Sequence, residues 1–214
     1  MRLFPLLSTL LVCILPLSAQ SVLLPGTATA SPGNTVDNVS WGNYTPPGAT
    51  GFRLQIAYEG SNFAARNLGT SVLISGMRFR AGNGGGTGGV QIGGVGIACS
   101  TARYPAAAIT TDYALNHGPD EQTVFYGAVT VQAASAPGAM YVDIPFQQPF
   151  SYDPTQGDLL FDLSYYFSTL THVPAGSTAH NGDATIGGGA LCYGALNAQF
   201  ATATYAGVPI VELV

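Results

Sequence analysis

The chain has 214 residues, of which 8% are charged, with six Arg, no Lys and a net charge of −5. An acidic balance without lysine argues against nucleic acid and anionic membrane surfaces as partners. Hydrophobic residues at 47% with so few charges are the opposite of a disordered composition, and the length suffices for one all-β domain with a core.

Met1–Ala19 has the three parts of a secretory signal: Arg2, an apolar run over Leu3–Leu17, and the small pair Ser18-Ala19 before a cleavage point. A membrane anchor, the alternative, needs about 20 apolar residues, and Pro5 and Pro16 interrupt this run. Cys13 has no small residue before it, so no lipoprotein anchor is expected. The expected mature chain is exported, without a membrane span. Residues 20–50, rich in Pro, Gly, Asn and Thr, form an extended N-terminal arm that buries Trp41, and residues 51–214 form the β domain.

The domain reads as a succession of strands. Phe52, Leu54, Ile56 and Tyr58 alternate with Arg53, Gln55 and Ala57. In Ser71–Arg80, Leu73, Met77 and Phe79 share one face, with Arg78 and Arg80 on the other. A glycine loop over 81–89 leads into a weak strand, Val90–Cys99, and Ser100–Asp120 is a long connection expected at an edge. Gln122–Gln132 and Met140–Gln147 are strands, with Phe150–Tyr152 a short extension. The clearest pattern follows: Leu159, Phe161, Leu163, Tyr165 and Phe167 on one face, and Asp158, Leu160, Asp162, Ser164 and Tyr166 on the other. Asp153, Pro154 and Gly157 form the turn that launches this strand: aspartate bonds the backbone ahead, proline presets φ, and glycine takes positive φ. Ser168–Gly189 reads as polar connection, and Leu191–Tyr193, Gln199–Tyr205 and Val208–Val214 as short strands. A helix over Ala195–Tyr205, with Leu196 and Phe200 four apart, is the alternative there. Many short strands with Gly/Pro turns predict an antiparallel β-sandwich, jelly-roll-like, or else a barrel.

Chemistry-bearing patterns are few. Gly84, Gly86 and Gly89 fit GxGxxG, but a strand-like run follows where the dinucleotide fingerprint needs a helix. Asp158 and Asp162, four apart on a strand, are separated by about 13 Å at ~3.3 Å per residue, beyond the ~5–9.5 Å of a glycosidase pair. They read as solvated strand-face carboxylates whose replacement by Asn costs little. Asp153 and Asp158 around the turn are calcium candidates, ordinary turn roles being the alternative. His117, His172 and His180 show no ligand spacing. Tyr104, Tyr113, Tyr126, Tyr165 and Tyr166 form either a sugar-stacking face or part of the interior. Cys99 and Cys192, two thiols in an exported chain, are expected to pair as a disulfide, two buried free thiols being the alternative.

Several short pieces together carry a resemblance: Gly33-Asn34 with Trp41-Gly42-Asn43, Arg53-x-Gln55-x-x-Tyr58, Ile74–Arg80, Thr123–Gly127, and Pro149-Phe150-Ser151-Tyr152-Asp153-Pro154-x-x-Gly157-Asp158-Leu159-Leu160-x-Asp162. In these the chain resembles a family of secreted bacterial proteins of unknown function, frequent in planctomycetes, some of which end in a PEP-CTERM sorting tail. The resemblance implies a β-sandwich and export, and brings no catalytic residues. Val208–Val214 lacks the Pro-Glu-Pro, apolar helix and basic tail of sorted members.

The resulting expectation is an exported, non-catalytic module of the cell envelope or extracellular matrix, with no catalytic residue and no cofactor other than the calcium candidate. Its expected partners are extracellular glycans or envelope proteins. A carbohydrate-binding, lectin-like module is the first alternative, and a polysaccharide hydrolase or lyase the second.

Overall fold

The computed structural model describes residues 20–26, 33, 35–37, 41, 50–66, 68, 71–82, 90–133, 136, 138–172 and 182–214. The expected leader Met1–Ala19, His180, and Gly84, Gly86 and Gly89 of the expected glycine loop lie outside them. In chain order the strands are β1 (Val22–Leu24), β2 (Thr35–Asp37), β3 (Gly51–Tyr58), β4 (Val72–Arg80), β5 (Val90–Thr101), β6 (Gln122–Val131), β7 (Met140–Tyr152), β8 (Leu159–His172), β9 (Gly182–Ala195), β10 (Ala203–Pro209) and β11 (Val211–Leu213). Two single-turn helices, α1 (Ser61–Ala64) and α2 (Tyr113–Asn116), and a 3₁₀ turn over Ala106–Ala108 complete the described elements.

The period-two pattern of β8 places Leu159, Phe161, Leu163 and Tyr165 in the core. Each such side chain contributes about 1.5–3 kcal/mol by leaving water. β8 lies between β5 and β3 in an antiparallel path β1-β11-β4-β7-β6-β5-β8-β3-β9-β10, with β2 also on β9. The arm is therefore partly sheet: β1 pairs with β11 and β2 with β9. Trp41 is buried and meets the Phe79 and Tyr165 rings edge-on at 4.9 and 5.2 Å, joining β4 to β8 across the interior.

The all-β, antiparallel class is as expected. The two separate sheets of a jelly-roll sandwich are not what the hydrogen bonding draws, because all eleven strands join in one curled sheet. Two features explain this. Pro209 faces Ala184 on β9, Ile210 O accepts from Arg80 N, and Val211 faces Phe79 on β4, so one residue carries the chain from one end of the sheet toward the other. The β6–β7 hairpin meanwhile stays joined at Val131↔Val142, its one paired position. Beyond it, Phe146–Pro149 bulge opposite Ser75 alone, since Ile74 faces Phe150 and Gly76 faces Pro145. There the Gln147 carboxamide accepts from Tyr126 N and donates to Tyr126 O at 3.1 and 3.0 Å, as a neighbouring strand would.

The same irregularity overturns the expected faces of β4. Leu73 and Met77 share a face only in an unbroken pleat, and the shift at Ser75 leaves Leu73 exposed while Ile74, Met77 and Phe79 are buried. β8 and β9 also extend through much of the expected polar connection after Tyr166.

The expected Cys99–Cys192 disulfide does not form: both thiols are free and buried. Cys99 faces Phe161, which faces Ile56, which faces Leu191. Cys192 belongs to the neighbouring row with Gln55 and Asp162, on the opposite face of the sheet. Three strand spacings of about 4.8 Å separate β5 from β9, so the pair exceeds the ~7 Å Cα reach of a disulfide.

Candidate functional site

The outer face of β8 is covered. Residues 102–121, the long connection expected at an edge, fold back as a flap over β5, β8, β3 and β9. Ala106 packs on Ala57 and Leu160, and Tyr113 on Cys192. Backbone bonds join Arg103 N to Asn116 O and Gly118 N to Thr101 O. A Cβ at Gly118 would stand 2.3 Å from Thr101 O, so glycine is what permits this approach. The Asp120 carboxylate accepts from Thr101 N and Oγ1.

Under the flap lies a buried polar network centred on Asp162, which is 4% exposed. Arg53 donates through Nε to Oδ1 at 3.0 Å and through Nη2 to Oδ2 at 2.5 Å. Gln55 Nε2 and His117 Nε2 donate to Oδ2 at 2.7 and 2.8 Å. His117 Nδ1 exchanges a bond with Ser100 Oγ at 3.1 Å. Gln55 Nε2 also reaches Tyr113 O, and Gln55 Oε1 accepts from Asn116 Nδ2 at 2.8 Å. Asn116 Oδ1 accepts from Thr110 N and Oγ1. The Arg53 guanidinium lies 4.6 Å from the Tyr113 ring centroid. Burial alone would raise the Asp162 pKa, but bonds from His117 and Arg53 and the charge of Arg53 outweigh it and hold the carboxyl below its ordinary value. Burial raises both thiols, Cys192 to about 12 and Cys99 well above the ordinary value.

Asp162 is therefore not the solvated carboxylate expected from the sequence. Ser100, His117 and Asp162 are also the residue types of a hydrolase triad, in another geometry. In such a triad aspartate holds Nδ1 and serine meets Nε2, whereas here the two partners are exchanged and Ser100 is fully buried. The buried polar groups of the network answer one another and fasten the flap to the sheet, while Arg53 at its margin stays 27% exposed.

The other expected site residues are dispersed. Asp153 Oδ1 accepts from Thr155 N and Oγ1 at 2.9 and 2.7 Å, lowering its pKa. Asp158 accepts from Gly60 N and Ala106 N at 2.8 and 2.5 Å, tying α1 and the 3₁₀ turn to the start of β8. The two carboxylates thus serve different backbone donors. Gly157 has φ +150°, and its carbonyl accepts from Tyr152 Oη at 2.7 Å. Asp143 is exposed and pairs with Arg78 on β4, away from Asp158 and Asp162. Among the described residues no group of three or more His, Cys, Asp and Glu is arranged to hold a metal ion. His172 ends β8.

Of the five tyrosines, Tyr113 and Tyr165 are buried, while Tyr104, Tyr126 and Tyr166 are exposed. A cleft of about 250 Å³ between β6 and β7 includes Asp143, and one of about 360 Å³ beside β9 and β10 includes Glu59, as the single acidic residue of each lining. No described helix is long and apolar enough to cross a membrane. No protein-family model, curated protein or solved structure matches the chain.

Sequence reasoning missed Arg53, Gln55, Ser100 and Asn116. The available signal was Leu160 beside Asp162 on a face read as solvent-facing: a large apolar residue there indicates a cover.

Proposed function

We propose that the chain is an exported, non-catalytic module of the cell envelope or extracellular matrix. The observation that carries this is the closed network around Asp162. Of the groups best suited to chemistry, Arg53 and His117 are both held by the Asp162 carboxylate, and Ser100 by His117, where the flap is fastened to the sheet. The leader pattern of Met1–Ala19 supports export, and the resemblance to secreted bacterial proteins agrees with it.

The test is expression of the full chain with its leader, followed by mass spectrometry of the exported fraction and assay on envelope polysaccharides. A mature N-terminus near Gln20 and no release of reducing ends are expected. An intact Met1 in the exported fraction overturns the export reading, and sugar release abolished by His117→Ala overturns the non-catalytic one. A second reading, carbohydrate binding, is favoured by the exposed neighbouring rings of Tyr126 and Tyr166.

A further inference from the structure

We propose that Tyr126, Gly96, Ser164 and Arg53, with Tyr166 beside them, form a binding site for a neutral glycan chain; this rests on the carbohydrate-binding reading above. The ladder register places them together. Tyr126 faces Gly96, Gly96 faces Ser164, and Ser164 faces Arg53. Directly opposed residues point to one side of a sheet, and Arg53 fixes that side as the outer one through its bonds to Asp162 under the flap. The row crosses β6, β5, β8 and β3, a span of about 14 Å at ~4.8 Å per strand. It runs at the foot of the flap, where Tyr113 packs against Arg53.

Each member supplies what a sugar ring needs. Tyr126 is 60% and Tyr166 37% exposed, and their rings stand edge to face at 6.3 Å and 75°, offering two differently turned stacking surfaces. Gly96 leaves a notch between them and the polar end. A Cβ there would meet only Tyr126 Cδ2 at 3.6 Å and Ser164 Cβ at 3.9 Å. Glycine inside a strand weakens it and marks places where a ligand or another backbone comes close. Ser164 provides a half-buried hydroxyl. Arg53 is held by Asp162 and Tyr113 yet stays 27% exposed, a pre-positioned donor for sugar hydroxyls. Its charge is met by Asp162, the row holds no second cation, and the Glu121 carboxylate lies 3.8 Å from His117. That balance selects a neutral ligand over an anionic one.

The experiment is affinity electrophoresis of the exported protein in gels containing hydroxyethyl cellulose, galactomannan, dextran or alginate, with melting temperatures measured in parallel. Retardation by at least one neutral polymer, unaffected by 0.5 M salt, is expected. Tyr126→Ala/Tyr166→Ala should weaken it at least tenfold. Gly96→Thr, which fills the notch with a strand-favouring residue, should do the same without lowering the melting temperature. Retardation that survives these variants overturns the site and leaves the carbohydrate reading standing. Salt-sensitive retardation by alginate alone overturns the neutral assignment. No retardation by any polymer overturns both site and reading. A fall in melting temperature with Tyr126→Ala and unchanged retardation assigns the ring to covering Gly96, and also overturns the site.

Discussion

Replacing Asp162 by Ala tests whether the polar network fastens the flap. The substitution leaves the Arg53 guanidinium without its counter-charge and removes the acceptor used by Gln55 and His117. Breaking a buried pair from one side costs about 3–5 kcal/mol, and the lower end applies here because Arg53 is 27% exposed and keeps part of its hydration. The unsatisfied donors overlap with that figure and are not added to it. For a chain of this size each kcal/mol shifts melting by about 2–4 °C, so a fall of roughly 6–12 °C at pH 7 is expected. Asp162→Asn, which keeps an acceptor and loses the charge, should fall between.

The pH dependence has a definite sign. The folded carboxyl titrates below its unfolded value, which lies near 3.9. The stabilisation is therefore fully present above about pH 5 and is lost as pH falls through the lower folded value. The gap between wild type and Asp162→Ala should accordingly narrow in acid. Circular dichroism melts from pH 3 to 7 measure both effects. Limited trypsin digestion reads the flap itself, since Arg103 is the one arginine in 102–121 and the chain has no lysine. It is already exposed, and its backbone N–H is bonded to Asn116 O in the intact flap. Cleavage there should accelerate in the variant. A melting temperature within about 2 °C of wild type, with Arg103 equally resistant, would refute the fastening role.

Three further outcomes are expected. Gly157→Val should cost about 1–3 kcal/mol, since φ is +150° and a Cβ would meet Thr101 Cγ2 at 3.0 Å; an unchanged urea midpoint contradicts this. Protein prepared without residues 1–19 and alkylated after unfolding without reductant should carry two adducts, at Cys99 and Cys192, and the native protein should react slowly at pH 8 because burial keeps both thiols protonated; a disulfide-linked peptide in the digest contradicts it. Asp158→Asn should lower the melting temperature by weakening the bonds to Gly60 N and Ala106 N, equally in calcium and in chelator, and a calcium-dependent rise in wild type that the variant lacks makes the turn a metal site.

Strands whose two faces differ in polarity were legible. Leu159, Phe161 and Leu163 in β8 and Leu54 and Ile56 in β3 reach the core as their alternation requires. The turn bond of Asp153 and the positive φ of Gly157 were legible for the same local reason, since turn chemistry acts within a few residues. β9 was not, because Gly187, Gly188 and Gly189 interrupt its alternation and the first two take positive φ. β4 was half legible, because pleat parity carries no record of the bulge opposite Ser75.

The candidate site was hidden for a different reason. Alternation tells that Asp162 leaves the core face, but not what meets it on the other side. Its partner Arg53 is 109 residues away, and His117 arrives on a connection without periodicity. The disulfide expectation failed on the same missing information. Two cysteines count as a pair only if strand order and face parity agree, and here β8 and β3 stand between them with the thiols on opposite faces. A polar face that also carries Leu160, Ala57 and Gln55 is too apolar to be wet and too polar to be core. In an all-β chain with a long connection such as 102–121, that mixture is the sequence signature of a sheet face whose cover is the connection itself.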